Sequence, residues 1–428
     1  MMKILFVAPS FPGHVKEYLI LPSLELCILS SILKEKGHTV NLLDMKINSL
    51  DCDAVNKNIE PLSEDYDFVL IEDSPETHCN TVKLVVLFRQ LYPAVKIILR
   101  GEIPSFIPEE VISRNPNVDF ITRFDDDYAL LRIIEESTSC DPNYNRIPNI
   151  AFNSLDGAVV TQTQKRSYAL DDLPRPDRKL YDVKKYLKRD SETIVRSTRG
   201  CPGNCLFCIK TRYEEFSVFS IQRFVDEIEE LLEFGFESFF FSDDTFAFSD
   251  SRVEEFASEI EKRNLKIRFT SNIRVRDIND FKISRLKSVG AYRVFVGIET
   301  INATTSTVLK KNITEDFIKE KIKILKKYNM EFHASFILGA PNDTPADLEK
   351  TITFVKEIKP TIVTFNLIKI YPGLPLYDNP KKYGMIMDDP FWFEKDEWSR
   401  KCIMGTNQLP PEELEKWSRR MLFEFISL

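Results

Sequence analysis

Three cysteines in one short stretch could bind a metal cluster. They are Cys201, Cys205 and Cys208, in the run RGCPGNCLFC, which also contains Gly200 and Gly203. Three thiolates can hold three irons of a cubane iron–sulfur cluster, and the fourth iron is then open to a small molecule. The two glycines let the backbone wrap closely around a bulky inorganic core. The spacing therefore predicts a [4Fe–4S] cluster that binds and reduces a substrate at its open iron.

A structural zinc site is the main alternative for these cysteines. Zinc takes four ligands, most often Cys and His. The histidines lie far from this run in the sequence, at positions 14, 38, 78 and 333, and no fourth cysteine has a suitable spacing. The other five cysteines are scattered along the chain, and a disulfide framework is not expected in a cytoplasmic enzyme of this length. The sequence therefore favours a cluster with an open iron over zinc.

The elements around the cysteines repeat the order strand, loop, helix. Six candidate strands lie between residues 192 and 370: Thr193–Ser197, Ser238–Ser242, Ile267–Ser271, Arg293–Gly297, His333–Leu338 and Ile362–Ile368. The candidate helices between them are Ile221–Glu233, Ser251–Lys262, Asn279–Ser288, Glu315–Tyr328 and Thr344–Ile358. Six such units make about three quarters of a (β/α)8 barrel, whose chemistry takes place on the loops that follow the strands. The cysteine run follows the first strand and so lies at the catalytic end.

The rest of the chain predicts three further regions. Residues 1–138 alternate short apolar strands with helices, which is typical of a doubly wound parallel sheet with a ligand crevice beyond its strand ends. Residues 139–190 contain a hairpin around Asp156-Gly157 and a proline-rich linker. Residues 191–378 form the partial (β/α)6 barrel, and residues 379–428 form a small aromatic tail that ends in a helix. The predicted fold class is therefore α/β, with a sheet domain before the barrel.

Composition and charge exclude several classes of partner. The chain has 428 residues, of which 43% are hydrophobic and 29% charged, and its net charge is −8. No dense basic patch is present, so nucleic acid and anionic membranes are not expected partners. The first apolar run, Ile4 to Ala8, is too short for a signal peptide, and no run approaches the roughly 20 apolar residues of a membrane span. We therefore expect a cytoplasmic protein.

The motifs of this chain resemble those of the radical S-adenosylmethionine (SAM) superfamily. The Cys-x3-Cys-x2-Cys spacing with an aromatic Phe207 before the last cysteine is similar to the cluster motif of that superfamily. The runs LPRPDRKLY, FFSDDTFA, VGIET, FILGAPNDT and YPGLPLYD resemble one branch of it, in the same order along the chain. That branch carries an N-terminal cobalamin-binding domain, to whose opening LPSLELCILSSILKEKGHTVNLLD is similar. The resemblance covers essentially the whole chain.

The resemblance implies a role for each matching residue. Cys201, Cys205 and Cys208 would ligate the cluster. The residues that would bind SAM are Phe207, near the adenine; Ser242, Asp243 and Asp244, near the methionine amino group; Asn272, Arg274 and Glu299, near the ribose or the carboxylate; and Gly339 and Pro341, beside the adenine. Arg274 in particular would pair with the methionine carboxylate through a forked hydrogen bond.

Several of these residues also have ordinary structural explanations. The superfamily often has Gly-Gly-Glu where this chain has Ser242-Asp243-Asp244, and the two aspartates could instead be solvated loop carboxylates or a helix N-cap. Glu299 could pair with a neighbouring basic side chain. Arg276 is an alternative to Arg274 for the carboxylate contact.

Cobalamin binding is left open by two loops of the N-terminal domain. The branch usually has glycine-rich loops after the fourth and fifth strands, but this chain has LRGEIPSF, with Gly101 alone, and TRFDDDYALL, with Asp125, Asp126 and Asp127. Carboxylates are costly beside a buried corrin. No Asp-x-His-x-x-Gly motif occurs, so no lower histidine ligand is predicted. The alternatives are a cobalamin site and a scaffold that has lost its ligand.

The resemblance implies a radical enzyme that acts on a small molecule. A flavodoxin or ferredoxin would supply one electron, SAM would be cleaved, and the 5′-deoxyadenosyl radical would remove hydrogen from an unactivated carbon. The outcome would be methyl transfer if cobalamin binds, and rearrangement, elimination or cyclisation if it does not. Two other hypotheses are a non-catalytic iron–sulfur or cobalamin sensor and a nucleic-acid methylthiotransferase, although the chain shows no basic RNA-binding module and no second cluster motif.

Overall fold

The chain forms two compact units in a computed structural model. The structure describes residues 1–12, 20–52, 55, 65–189, 192–213, 215–395 and 401–426. The first unit comprises Met1–Arg189 and Phe391–Ser399, and the second comprises Asp190–Pro390 and Arg400–Leu428. Among the described residues, no helix combines the length and the apolar character needed to cross a membrane.

The first unit is built on one seven-stranded sheet. Its strands are β1 Lys3–Ala8, β2 Thr39–Asp44, β3 Phe68–Asp73, β4 Lys96–Gly101, β5 Phe120–Thr122, β6 Ile150–Ser154 and β7 Gly157–Val160. They lie in the order β2-β1-β3-β4-β5-β6-β7, in which the first five are parallel and the last two pair antiparallel. The parallel strands are apolar and almost wholly buried, as expected for a sheet covered on both faces. The hairpin thus extends this sheet.

Short helices complete the first unit. They are α1 Leu24–Glu35, α2 His78–Leu91, α3 Glu102–Phe106, α4 Pro108–Arg114, α5 Ala129–Ser137 and α6 Val183–Arg189, with single 3₁₀ turns at Tyr144–Arg146, Leu170–Asp172, Arg178–Leu180 and Trp392–Glu394. The proline-rich segment after the hairpin packs on α1, since the backbone N–H of Asp177 donates to the carbonyl of Cys27 and its carboxylate accepts from Ser30.

The second unit contains a six-stranded, fully parallel sheet. Its strands are β8 Glu192–Val195, β11 Ser238–Phe241, β12 Arg268–Arg274, β13 Ala291–Glu299, β14 Glu331–Leu338 and β15 Ile362–Leu367, in the spatial order β15-β14-β13-β12-β11-β8. Two small antiparallel pairs accompany the sheet, β9 Thr198–Arg199 with β10 Ser217–Val218 and β16 Met385–Met387 with β17 Met404–Thr406.

Helices connect these strands, and five of them lie where the sequence predicts a helix between strands. They are α7 Lys210–Tyr213, α8 Ile221–Glu233, α9 Asp250–Lys262, α10 Asp280–Ser288, α11 Ala303–Val308, α12 Glu315–Lys327, α13 Pro345–Ile358, α14 Pro375–Asp378 and α15 Pro411–Ile426, with 3₁₀ turns at Val275–Asp277 and Pro380–Tyr383. Side chains cap the starts of α8, α9, α10, α12 and α13, each accepting a backbone N–H from the first turn; the caps are Ser220, Ser249, Asn279, Thr314 and Thr344. The caps fix where each loop after a strand ends, so the loop lengths at the catalytic end are set by local chemistry.

The predicted fold class is confirmed, and two strands run further than their apolar pattern. β12 continues to Arg274, where the sequence predicts an end at Ser271, and β13 continues to Glu299 through an irregular register after Gly297. Among the extra residues, Asn272, Arg274 and Glu299 are polar and partly buried, whereas Ile273 and Ile298 are apolar and buried. The polar positions of this alternating pattern therefore begin where the candidate site begins.

Candidate active site

The three cysteines lie on the loop between β9 and α7, directly after the first strand of the barrel. Leu206 anchors the middle of this loop, because its side chain is buried and its backbone N–H donates to the carbonyl of Leu309 at 3.1 Å. Phe207 is half-buried in the turn between Cys205 and Cys208. Leu206 thus fixes the middle of the loop, with Cys201 and Cys205 before it and Cys208 after it.

The cysteine thiols have the donor chemistry that an iron–sulfur cluster requires. None of the three forms a disulfide, and all are partly exposed. Burial raises the pKa of Cys201, whereas the Gly203 N–H, 3.4 Å from its Sγ, and the charge of Arg274 favour the thiolate. Among the described residues no three His, Cys, Asp or Glu side chains already converge on one metal position. Metal binding can supply the free energy that orders such a loop, so this donor set fits a cluster.

Arg274 lies beside the cysteine loop and is held by a second residue. Its Nε and Nη2 donate to the two carboxylate oxygens of Asp277 at 2.6 and 2.9 Å. Thr245 donates to the same carboxylate. The remaining nitrogen, Nη1, would lie 3.9 Å from a Cβ placed on Gly203. The fork with Asp277 therefore aims one guanidinium N–H group at the loop, whereas the exposed Arg276 donates to the carbonyl of Lys311.

The acidic stretch after β11 divides into two different environments. Asp243 is fully buried and accepts three hydrogen bonds from Ser197, two from the backbone N–H and one from the hydroxyl. Burial raises its pKa, although the bonds from Thr198 and Ser197 oppose that rise. Asp244 is partly exposed, and its charge raises the pKa of Cys201. Asp243 therefore ties the loop to β9, while Asp244 is the carboxylate beside the cysteines.

Two other predicted residues support these loops through the backbone. The Ser242 N–H and hydroxyl both donate to the carbonyl of Val195, which continues the pairing of β11 with β8. Asn272 donates from Nδ2 to the carbonyl of Asp243 at 2.9 Å. Both residues hold the acidic stretch in place; their contacts with a nucleoside stay predictions.

Glu299 lies at the irregular end of β13 in a conformation that L-residues rarely adopt, with φ +69°. Its carboxylate is buried, which raises its pKa, and the ammonium of Lys311, 4.0 Å away, opposes that rise. Lys311 also donates to the carbonyl of Gly297 at 2.8 Å. Backbone strain of about 1–3 kcal/mol is commonly found at functional sites, so Glu299 stays a candidate for a ligand contact.

Gly339 and Pro341 follow β14 and contact other parts of the second unit. Gly339 has φ +81°, and a Cβ there would lie 2.5 Å from Cδ1 of Leu414, so this glycine is required for packing of helix α15. The carbonyl of Pro341 accepts from Thr305 at 3.3 Å. Thr305 also donates to Asp343, whose pKa is raised to about 7 mainly by burial.

Lys311, Asp277 and Asp343 are residues of this region that the sequence did not single out. Asp277 holds Arg274, and Lys311 faces Glu299; the sequence did single out Arg274 and Glu299. A basic residue 12 positions after an expected ligand carries no motif, because the intervening helix α11 brings it back to the strand end. Only the local pattern Arg-x-x-Asp at 274–277, one turn apart, could have indicated the fork.

The aspartates after β5 form hydrogen bonds and ion pairs with other residues of the first unit. Asp127 is fully buried and accepts from the hydroxyl of Tyr168 at 2.8 Å, and Asp126 accepts from Asn149 at 2.9 Å and pairs with Arg132. Arg166 lies 3.4 Å from Asp125. These carboxylates are paired inside the unit, so their charge does not argue against a neutral ligand at the sheet edge.

The carboxyl end of β3 carries a buried pair that sequence patterns did not reveal. Asp73 Oδ2 and His78 Nδ1 are 2.8 Å apart, and both side chains are buried. Within the part of the chain that the structure describes, His78 Nε2 has no hydrogen-bond partner, and the His78 ring contacts Phe393 edge-on. Gly101, at the end of the neighbouring β4, is required by the chain path, since a Cβ there would lie 1.6 Å from the carbonyl oxygen of Asp73. A polar atom without a partner at this edge is compatible with a bound corrin.

Comparison with known proteins finds a family match within the second unit. Residues 195–355 match the model of the radical SAM superfamily. An uncharacterized methyltransferase, PH0819, from Pyrococcus horikoshii is 26% identical over 385 residues, which is 88% of this chain and 83% of that protein. The anaerobic magnesium-protoporphyrin IX monomethyl ester cyclase of Rubrivivax gelatinosus is 26% identical over 394 residues, which is 88% of this chain and 69% of that protein.

The fold of both units occurs together in a solved structure. The radical SAM methyltransferase TsrM from Kitasatospora setae, with cobalamin and a [4Fe–4S] cluster bound, has a TM-score of 0.75 and 16% sequence identity, and the match covers 97% of this chain and 85% of that one. At this identity the likeness shows the fold. The match extends over the first unit as well as the barrel.

Proposed function

We propose, from the premise that this chain is a radical SAM enzyme with its radical SAM domain at residues 195–355, that it removes a hydrogen atom from an unactivated carbon of a small molecule. The three cysteines on the loop after the first barrel strand carry this proposal. When bound, a [4Fe–4S] cluster with one open iron supplies the electron that cleaves SAM to methionine and a 5′-deoxyadenosyl radical. A flavodoxin or ferredoxin would be the electron donor.

The residues of the chain position the reactants. Cys201, Cys205 and Cys208 would hold the cluster. Arg274, fixed by Asp277, presents one N–H group beside the loop and would bind the methionine carboxylate. Asp244 is the partly exposed carboxylate beside Cys201 and would accept hydrogen bonds from the methionine ammonium. Glu299 packs over Gly297, which has no side chain, and faces Lys311. Its carboxylate would accept a hydrogen bond from a ribose hydroxyl.

Methyl transfer with cobalamin is the finer form of this function that we propose first. It is supported by the fold match, which includes the first unit, and by the internal pairing of Asp125, Asp126 and Asp127. A corrin would lie at the carboxyl edge of the first sheet, close to Asp73 and His78, and would supply a methyl group. The alternative is rearrangement, elimination or cyclisation without corrin, and the cyclases among the relatives support cyclisation as one such outcome.

Formation of 5′-deoxyadenosine tests the radical function. The anaerobically reconstituted enzyme, reduced with dithionite and given SAM, should release 5′-deoxyadenosine, measured by liquid chromatography and mass spectrometry. Cys205→Ala should abolish the product and lower the bound iron and sulfide, whereas Cys140→Ala, at an exposed position in the first unit, should change neither. An enzyme with a full cluster that releases no 5′-deoxyadenosine would instead be a non-catalytic sensor.

Retention of cobalamin distinguishes methyl transfer from a reaction without corrin. The protein is incubated anaerobically with hydroxocobalamin and desalted, and its absorption spectrum is recorded. Stoichiometric corrin with an intact cluster supports methyl transfer. An intact cluster without corrin rules out methyl transfer through cobalamin and leaves rearrangement, elimination or cyclisation.

A further inference from the structure

The inward face of the barrel sheet is incompletely packed. Along β14, the side chains of Phe332, Ala334, Phe336 and Leu338 are buried on the helix-covered face. The alternate residues, His333, Ser335 and Ile337, are only partly buried. In a closed eight-stranded barrel this inward face would be a filled core. Here its side chains keep exposed surface, so the face has room for a ligand.

A row of uncharged polar side chains crosses this face on the last two strands. We define the polar wall as His333 and Ser335 on β14 with Thr364 and Asn366 on β15. Nε2 of His333 lies 3.2 Å from the hydroxyl oxygen of Thr364, and Nδ2 of Asn366 donates to Ser335 at 2.9 Å. The four side chains thus hold one another in place without filling the space in front of them.

Two phenyl rings continue the face beside the polar wall. Phe295 on β13 is the register partner of His333, and their ring centroids are 4.8 Å apart. Phe240 on β11 lies 5.6 Å from Phe295 in an edge-to-face arrangement. Both rings are partly exposed. They form an apolar surface with the polar wall along one side.

The hydrogen-bonding capacity of the wall indicates what it could bind. None of its four side chains is an acid, a lysine or an arginine, and burial lowers the pKa of His333, which keeps the imidazole neutral at physiological pH. His333 Nδ1 and Asn366 Oδ1 form no hydrogen bond among the described residues of this unit. Arg293, the cation whose charge acts on His333, is already paired with Glu331, so the wall itself favours an uncharged hydrogen-bonding group over a carboxylate.

The wall belongs to the same face as the candidate SAM contacts. Asn272 is the register partner of Phe295, and Arg274 is the register partner of Gly297. Side chains at paired positions of parallel strands lie on one side of the sheet. A molecule on the phenyl rings would therefore lie on the face of the sheet that Arg274 shares.

We propose that the polar wall and the two phenyl rings are the substrate-binding surface. The substrate class is a small molecule with an apolar ring that lies on Phe295 and Phe240 and an uncharged hydroxyl, carbonyl or amide group that bonds to His333 and Asn366. The inference rests on the proposed function, because it names the molecule whose carbon the radical would attack.

Three ring compounds of matched size test this surface directly. p-Cresol carries an uncharged hydroxyl, p-toluate a carboxylate and p-xylene no polar group. Saturation-transfer NMR titrations of the full chain should give p-cresol the lowest Kd, at least fivefold below those of the other two. Asn366→Leu and Thr364→Val should weaken p-cresol binding about fivefold or more, and Thr353→Val, on the exposed side of α13, should not.

Equal binding of the three probes, or p-cresol binding unchanged in Asn366→Leu and Thr364→Val, would overturn the inference. Thermal unfolding of each variant separates loss of binding from loss of structure, and either variant suffices if the other is unstable. The two proposals fail separately. Release of 5′-deoxyadenosine without preference for p-cresol rejects only the surface, and preference for p-cresol without 5′-deoxyadenosine rejects only the radical function.

Discussion

Glu299 folds back over Gly297, so that a methyl group added at position 297 would lie 2.5 Å from its Oε1. The positive φ of Glu299 turns the carboxylate towards the strand that it has just left. Lys311 completes the arrangement by donating to the Gly297 carbonyl and facing the carboxylate. The position of this buried acid therefore depends on the absence of a side chain two residues earlier.

We predict that Gly297→Ala displaces Glu299 and weakens SAM binding about tenfold, the effect of losing roughly 1.4 kcal/mol of binding free energy. The overpacking should also lower the free energy of unfolding by about 1–3 kcal/mol. Equilibrium dialysis with SAM and thermal unfolding measure the two effects. Gly37→Ala is the control, since nothing lies within 4 Å of its Cβ position, although the positive φ of Gly37 makes alanine strained there. It should destabilise the fold without changing SAM affinity, and an equal loss of affinity in both variants would contradict the role of Glu299.

Arg274→Lys and Arg276→Lys distinguish the roles of two arginines, one at the end of β12 and one just after it. Lysine cannot reproduce the forked pairing with Asp277, so Arg274→Lys should lose the orientation of its third N–H group and weaken SAM binding about tenfold or more. Arg276 is exposed and donates to a backbone carbonyl, so Arg276→Lys should change SAM affinity less than twofold. Both affinities are measured by equilibrium dialysis with the cluster-loaded protein. A larger loss in Arg276→Lys would transfer the carboxylate contact to that residue.

Asp243→Ala should lower stability, whereas Asp244→Ala should weaken SAM binding. Removing the Asp243 carboxylate leaves the Ser197 N–H and hydroxyl buried without a partner, which should lower the free energy of unfolding by about 2–4 kcal/mol in urea titrations. Asp244 is partly exposed, so Asp244→Ala should change stability by less than about 0.5 kcal/mol and should instead weaken SAM binding. Equal destabilisation by the two variants would show that Asp244 is also structural.

The alternation of strands and helices, and the place of the cysteines in it, could be predicted from the sequence. The apolar pattern gives Ile221–Glu233 without error and most other elements to within a few residues. The pattern works because the helix-covered face of each strand must be apolar whatever the site requires. It fails at Asn272, Arg274 and Glu299, where the inward face becomes polar while the backbone pairing continues.

The different roles of neighbouring candidate residues could not be predicted. Asp243 and Asp244 are adjacent and chemically identical, yet one is buried under Ser197 and the other lies beside Cys201. That difference depends on side-chain direction at a strand end, which sequence spacing does not encode. Gly339 matches an expected adenine contact, but the reason for glycine in the structure is its approach to Leu414, 75 positions later in the chain.

The buried carboxyl of Asp343 should make the stability of the second unit depend on pH. Its pKa is raised to about 7, mainly by burial, although Ala340 and Thr305 donate hydrogen bonds to it. The folded state therefore binds this proton more tightly than the unfolded state, whose aspartates titrate near pH 3.9. Between these two pKa values the folded chain holds the extra proton, so the stability contributed by Asp343 falls as the pH rises and is lost above about pH 7.

Asp343→Asn should remove this pH dependence, because an amide stays neutral at every pH and can still bond to Thr305. Urea unfolding at about pH 5 and about pH 8 measures it: the stability of Asp343→Asn relative to the unmodified protein should rise between the lower and the higher pH. Asp378→Asn is the matched control, since Asp378 is exposed in the same unit, and its relative stability should stay the same at both values. If Asp343→Asn also keeps a constant difference, the carboxyl of Asp343 is ionised throughout, and the hydrogen bonds from Ala340 and Thr305 outweigh its burial.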